Sequence, residues 1–282
     1  MGARMGTLYE EHILLGASFL PNESTGLLAV RSYPCEGEKD LGEALLGAVV
    51  ADLTGTTYAL LSGDAAPDLA RSALAGRPLS VGDACFEAVL RGDGSVLGAP
   101  LVLRTGDHEH VLLDPTPRGE ATTAWLELVR GAGGDEGPLR DCSLEDASGM
   151  LVPLLCAGDG AGRVVSDYLV RTGARLPRTG EVASVRLDAI PALVARVPVA
   201  GAEAYLLLVP APSAHAIWRS LLSFAEVSPV GVEAVRELFA SRLPWAAALS
   251  APGPVALGRA ELEGWGIVRA GDDFVGARGL AS

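Results

Sequence analysis

One stretch of this chain occurs twice, and the repeat constrains the fold more than any other feature. His110 to Pro117 reads HVLLDPTP and Tyr205 to Pro212 reads YLLLVPAP, an offset of 95 residues that sets Pro115 on Pro210 and Pro117 on Pro212. At the same offset Leu60-Leu61-Ser62-Gly63-Asp64 falls on Leu155-Cys156-Ala157-Gly158-Asp159. Each copy then runs into a helical pattern with one tryptophan, Trp125 in the first and Trp218 in the second. Two matched blocks, in one order and at one offset, point to a structural duplication. Two copies are too few for a solenoid, which needs about three. They suit two similar halves built of strands and helices, expected at 1–135 and 136–282, with the seam between them a natural place for a ligand pocket.

The patterns between the repeats supply the elements. A helix is expected from Thr7, capped by Thr7 with Glu10 completing a capping box, until Pro21 stops the pattern. A short strand follows at Leu27 to Val30, then an apolar helix from Leu41 to Val50. Thr56 to Leu61 reads as a strand and Pro67 to Leu74 as a short helix. Phe86 to Leu90 and Val96 to Arg104 make a hairpin about Arg91-Gly92-Asp93-Gly94, with Pro100 marking an edge or a bulge. Strand Glu109 to Leu113 and helix Thr122 to Arg130 close the first half. Gly131 to Pro138 reads as the linker. The second half offers strand Val152 to Cys156, helix Gly162 to Arg171 and strands around Val182 to Leu187, Ala192 to Val197 and Ala204 to Val209. Helices Ser213 to Phe224 and Gly231 to Leu243 follow. This order predicts an α+β fold with antiparallel sheets and packed helices.

Charge excludes some functions. The chain of 282 residues carries a net charge of −13. A backbone binder of DNA or RNA needs a basic surface, and so does a protein held on an anionic membrane; no basic run is present, so neither partner is expected. No apolar run follows Arg4, as a secretory leader requires, and none reaches the roughly 18 residues of a membrane span. A cytoplasmic setting is therefore expected. Cys35, Cys85, Cys142 and Cys156 show no metal-ligand spacing and are expected as buried thiols, with no metal.

Several segments resemble the glycine cleavage T-protein family of folate-binding aminomethyltransferases. Gly271-Asp272-Asp273-Phe274-Val275-Gly276-Ala277-Arg278-Gly279-Leu280 resembles that family's GDFIGREAL motif, and Leu8 to Ala17, LYEEHILLGA, resembles its LYEEHVALGA start. Ala51-Asp52-Leu53-Thr54 sits where the family has FDVS, ahead of Leu61-Ser62-Gly63-Asp64-Ala65. Leu207-Leu208-Val209-Pro210-Ala211 with Trp218 resembles ELYVPA and its following helix. Pro229-Val230-Gly231, with Ala234 and Leu238, resembles PCGLGARDTL, where the family arginine falls on Val235 and Arg236 lies one residue late. The resemblance covers most of the chain and implies two similar intertwined halves, tetrahydrofolate as cofactor and one-carbon transfer to or from a small metabolite. A second copy or another protein as partner stays open.

The departures bear on the chemistry. Gly98-Ala99 stand where the family has paired aspartates, Leu206 where it has a folate-binding glutamate and Phe86 where it has a tyrosine. A pterin edge needs a carboxylate acceptor, and an unpaired buried donor costs about 1–3 kcal/mol. The KGCxxGQE motif of the iron–sulfur-assembly branch is missing, and with Ser282 as the last residue the family's C-terminal barrel is not expected. Asp52 is the candidate replacement carboxylate, against a strand-end cap. Asp114 and Arg118 flank the first Pro-x-Pro where the family binds folate through NAxNR, against a surface loop. Arg236 could grip a ligand carboxylate, against a solvated helix face, and Tyr205 could stack on a flat ring, against core packing. Non-catalytic binding or assembly, or a folate-independent enzyme, are the competing functions. His108-Glu109-His110 reads as an exposed hairpin, and Gly158 to Gly162 as a strand-to-helix turn without the Lys-Ser/Thr of a phosphate loop.

Overall fold

The computed structural model describes residues 3–37, 40–132, 134, 137–169, 173–250 and 253–280. Gly133, Asp135 and Glu136 of the expected linker, and the last two residues of the expected helix Gly162 to Arg171, lie outside them. In chain order the structure begins with helix α1 (Tyr9–Leu14), strands β1 (Ser18–Pro21) and β2 (Leu28–Ser32), helix α2 (Leu41–Leu45) and strands β3 (Ala48–Asp52) and β4 (Thr57–Ser62). Helix α3 (Ala66–Ala73) leads to β5 (Ala84–Phe86), β6 (Val89–Leu90), β7 (Val96–Gly98), β8 (Leu101–Gly106), β9 (Glu109–Asp114) and α4 (Gly119–Gly131). Then come β10 (Ser143–Asp146), β11 (Leu151–Ala157), α5 (Ala161–Asp167), β12 (Val182–Leu187), β13 (Ile190–Arg196), β14 (Ala204–Pro210) and α6 (Ala211–Leu221). The chain continues through β15 (Val227–Pro229), α7 (Val232–Arg242) and α8 (Arg259–Gly264). The class is α+β with antiparallel sheets, as expected, save for the edge strand β15, which pairs with β3 in parallel.

The chain forms two compact units, one from Met1–Thr56 and Ala147–Arg242, the other from Thr57–Asp146 and Leu243–Ser282. The first holds a six-stranded sheet in the order β12-β13-β14-β11-β3-β15, the second a five-stranded sheet in the order β10-β4-β9-β8-β5. The repeat is written into the pairing register. Leu60 pairs with Val111 between β4 and β9, and Leu155 pairs with Leu206 between β11 and β14, the same two positions displaced by the repeat offset. The fifth strand is exchanged: β3 precedes β4 in the chain but pairs with β11, and β10 precedes β11 but pairs with β4. This exchange intertwines the halves, so the compact units cut across the expected division at residue 135.

The turn after each repeat strand explains why the blocks match. Gly63 has φ +114° and Gly158 φ +124°, a region costly for any residue with a Cβ. A Cβ on Gly63 would meet the Asp141 carbonyl at 2.4 Å, and one on Gly158 the Gly47 carbonyl at 2.6 Å. The turn therefore needs glycine on two counts in both copies, and the helix that follows starts at the same place. Strands β11 and β14 are apolar on both faces; Val152, Leu154, Cys156, Tyr205, Leu207 and Val209 pack in one core with Val164, Val165, Ile217 and Trp218 of α5 and α6. That explains their continuous apolar runs.

Some expectations gave way to non-local pairing. The expected helix Leu41 to Val50 stops at Leu45, capped by Asp40, whose Oδ1 accepts from the Glu43 amide at 2.9 Å. The next residues form β3, where Val49 and Val50 join β11 and β15 in a buried sheet. The first helix ends at Leu14, because Gly16 takes φ +76°, and Ser18–Pro21 pairs with β2 instead. Thr7 does not cap α1, whose N-cap is Leu8 without a side-chain bond. Pro100 separates β7 from β8, as an amide that cannot enter a ladder should.

Candidate functional site

In the first unit α1, β2 and β3 bring three polar side chains into the interior. His12 comes from α1, Asp52 from the end of β3, and Tyr33 from just after β2. Each is no more than 3% exposed. His12 Nε2 lies 2.9 Å from Asp52 Oδ2, and Tyr33 Oη lies 2.7 Å from His12 Nδ1. Burial, reinforced by the Asp52 charge, pushes the Tyr33 phenol well up. Tyr33 therefore stays a neutral phenol, and the His12 ring bridges its hydroxyl to the Asp52 carboxylate. Asp52 Oδ1 accepts from the Thr54 amide at 2.8 Å, so the carboxylate also caps the strand-end turn. The Trp218 ring stands edge-on to His12, centroids 5.0 Å apart at 86°, and fixes the imidazole plane.

Tyr33 also lines a cavity of about 500 Å³ within this unit, together with Cys35, Glu36, Pro229, Glu233 and Glu237. The Glu36 carboxylate accepts from the amides of Tyr33 and Gly231, while burial raises its pKa. Glu233 pairs with Arg31 at 2.8 Å. Cys35 is exposed, unlike the buried thiol expected there. Arg236 lies on α7, partly buried. Tyr205 is 1% exposed in the helix-facing core, and the Arg196 guanidinium stands 5.6 Å over its ring.

In the second unit, Asp114 and Arg118 come together around Gly98. A Cβ on Gly98 would meet Thr122 Oγ1 at 2.5 Å, Asp114 Oδ2 at 3.4 Å and Arg118 Cβ at 3.6 Å. An aspartate at position 98 would therefore have to displace the Thr122 side chain and would stand against the Asp114 carboxylate. Asp114, at the end of β9, is 3% exposed, and its Oδ1 accepts from the Thr116 amide at 2.9 Å. Arg118 donates from Nη1 to the Leu97 carbonyl at 2.9 Å and from Nε to the Leu249 carbonyl at 2.5 Å. Burial lowers the Arg118 pKa, opposed by the Asp114 charge. Thr122 is 1% exposed, and its hydroxyl has no hydrogen-bond partner among the described residues. Phe86 is buried with its ring against Trp245, centroids 5.4 Å apart at 62°.

The crystal structure of the glycine cleavage system aminomethyltransferase T from Bartonella henselae superposes with a TM-score of 0.72 over 99% of this chain and 74% of that one, at 20% identity. The fold is T-protein-like. The heterotetrameric sarcosine oxidase from Corynebacterium sp. U-96, in complex with pyrrole 2-carboxylate, aligns with a TM-score of 0.42 at 17% identity, over 76% of this chain and 92% of that one. No family model and no curated protein sequence matches the chain.

The six candidates thus divide between the units: Asp52, Tyr205 and Arg236 in the first, Phe86, Asp114 and Arg118 in the second. Sequence reading missed His12, Tyr33 and Thr122. His12 stood in a stretch read as polar and acidic, although a histidine preceding Ile13-Leu14-Leu15 on a helix signals a buried imidazole. Nothing local marks Tyr33 or Thr122, whose neighbours come from distant strands. Among the described residues no helix is long and apolar enough to cross a membrane, and no three His, Cys, Asp or Glu side chains group to hold a metal.

Proposed function

We propose that the protein is a T-protein-like, folate-dependent one-carbon transferase with a remodelled site, moving an aminomethyl, hydroxymethyl or methyl group to or from a small metabolite. The observation that carries this reading is the Asp114 carboxylate, with Oδ2 3.4 Å from where a side chain at Gly98 would begin. The acid missing from β7 has a substitute on β9, within about a side chain's length. The fold over nearly the whole chain supports the reading, as does the unpartnered Thr122 hydroxyl beside the carboxylate. Tetrahydrofolate, when bound, supplies the nitrogen that carries the one-carbon unit. Asp114 accepts N–H donors of the pterin edge, Thr122 adds a hydroxyl, Phe86 offers an apolar wall, and Arg118 holds the β7 backbone in place through Leu97. The expected cytoplasmic setting and small-molecule substrate belong to this reading.

Calorimetry with tetrahydrofolate and its 5,10-methylene and 5-methyl forms tests it. Micromolar binding is expected, weakened at least about tenfold by Asp114→Asn, because an amide has one acceptor oxygen and sets an NH2 donor where the second stood. No binding of any form, or binding that Asp114→Asn leaves unchanged, overturns the proposal. One observation favours a second reading, a binding or assembly protein or a folate-independent enzyme on the same scaffold. Leu206, where the resemblance puts a folate-binding glutamate, is fully buried between Leu155 and Ala195.

A further inference from the structure

The duplication supplies an internal control for one arginine. Arg104 on β8 pairs with His110 on β9, and Arg196 on β13 pairs with Tyr205 on β14; these are equivalent places in the two sheets. In the first unit the site is closed. The Arg196 guanidinium lies over the Tyr205 ring and bonds Glu203 Oε1 at 2.9 Å. The equivalent of Glu203 is His108, since the Gly158 amide bonds the Glu203 carbonyl at 2.9 Å and the Gly63 amide bonds the His108 carbonyl at 3.1 Å. Both closing groups are thus replaced in the second unit: the carboxylate by an exposed histidine, the large phenol ring by a smaller imidazole. His110 is buried, not exposed as the hairpin reading expects, because its side chain faces inward from β9.

A cavity of about 250 Å³ occupies this place, lined by Arg71, Arg77, Arg104, Arg269, Glu87 and His110. Four guanidinium groups around one cavity are notable in a chain of net charge −13. Arg104 donates only to carbonyls, of Leu79 at 2.6 Å, Asp107 at 3.1 Å and Gly106 at 3.5 Å. Among the described residues no carboxylate bonds it, although the Asp83 charge lies near enough to interact with it. Arg77 uses Nη1 on Asp83 at 2.7 Å, which leaves its other nitrogens available. Arg71 and Arg269 share Asp273. His110 is 4% exposed, and its Nδ1 has no hydrogen-bond partner among the described residues. Glu87 is 4% exposed; burial pushes its carboxyl up to about 8, so at neutral pH it stands mainly as a neutral hydrogen-bond donor. The exposed Asp68 also lines the cavity and is its one other acid.

We infer that this cavity is a binding site for a small oxyanion, a phosphate monoester or a short carboxylate, with Arg77 and Arg104 supplying charge and His110 a hydrogen bond. Guanidinium groups suit such ligands because their N–H pairs match two oxygens at once. At roughly 30 Å³ for each water displaced, the cavity has room for the anion and a few carbons. The site lies within the second unit, and the inference does not depend on the folate reading.

The test is calorimetry on the full chain with three probes: inorganic phosphate, methyl phosphate and succinate. Saturable binding of at least one is expected, and comparison of the arms tells phosphate from carboxylate. His108→Glu returns to Arg104 the carboxylate that Arg196 has, and His110→Tyr returns the ring that fills the site. Each is expected to weaken binding at least about tenfold, as is Arg77→Gln. His108 is exposed, so its variant folds even if the buried His110→Tyr does not. Absence of saturable heat with all three probes at about 10 mM, well above a millimolar dissociation constant, overturns the inference. So does binding that His108→Glu and Arg77→Gln both leave unchanged.

Discussion

In one unit the exchanged strand ends in Asp52, buried and bonded to His12; in the other the equivalent strand ends in Asp146, which is exposed. Asp52 pairs with Leu154 and Asp146 with Ala59, matching registers. The same contrast recurs at the strand pairs, where Tyr205 under Arg196 fills a core and His110 beside Arg104 lines a cavity. The difference teaches that register and turn geometry persist because slipping either would turn every buried side chain outward. Site chemistry sits on single side chains that differ between the copies while the ladder around them is kept.

The comparison breaks first at the tryptophans. Trp218 is fully buried, whereas Trp125 is only partly so. Trp218→Ala is expected to cost about 4 kcal/mol in urea denaturation and Trp125→Ala about half that; equal losses would mean the two helices pack alike. Next come the turns. Gly63→Ala and Gly158→Ala are each expected to cost about 3 kcal/mol, from unfavourable φ and the close carbonyl. A turn that matters in only one copy would show as a clear inequality between them.

Glu87 sharpens the contrast through pH. Its folded value of about 8 lies above the ordinary 4.5, so the native chain keeps a proton that the unfolded chain releases between those values. The stabilisation is complete below pH 4.5 and is lost as pH rises toward 8. Glu87→Gln should therefore gain a few kcal/mol, at most about 5, over the parent above pH 8 and nothing below pH 4.5, read from thermal melts across that range. The smallest contrast is between the strand-end acids. Asp52→Asn is expected to cost about 1–2 kcal/mol by disturbing the His12 bond, and the exposed Asp146→Asn less than about 0.5 kcal/mol. Comparable losses would deny the burial difference.

Much of this scaffold could be read from the sequence. The repeat foretold the duplicated strands because glycine at positive φ and proline after the strand leave local marks. Strands β3 and β10 were missed because their identity comes from partners across the exchange: Leu41 to Val50 reads as an apolar helix until β11 claims its end. The site was legible in part. Asp114 and Arg118 were marked by the Pro-x-Pro between them, but their meeting with Gly98 and Thr122 depends on how β7 and α4 pack. Asp52 was visible as an acid, and its partner His12 was hidden in a stretch read by its charge.

Hydrogen exchange with and without tetrahydrofolate tests most directly the claim that a shared scaffold carries ligand chemistry in one copy's side chains. Protection is predicted at residues 96–99 and 114–122, around Gly98, Asp114 and Thr122, with little change at the equivalent 209–214 of the other unit. No protection at 114–122, or protection of 209–214 as strong, would contradict the account.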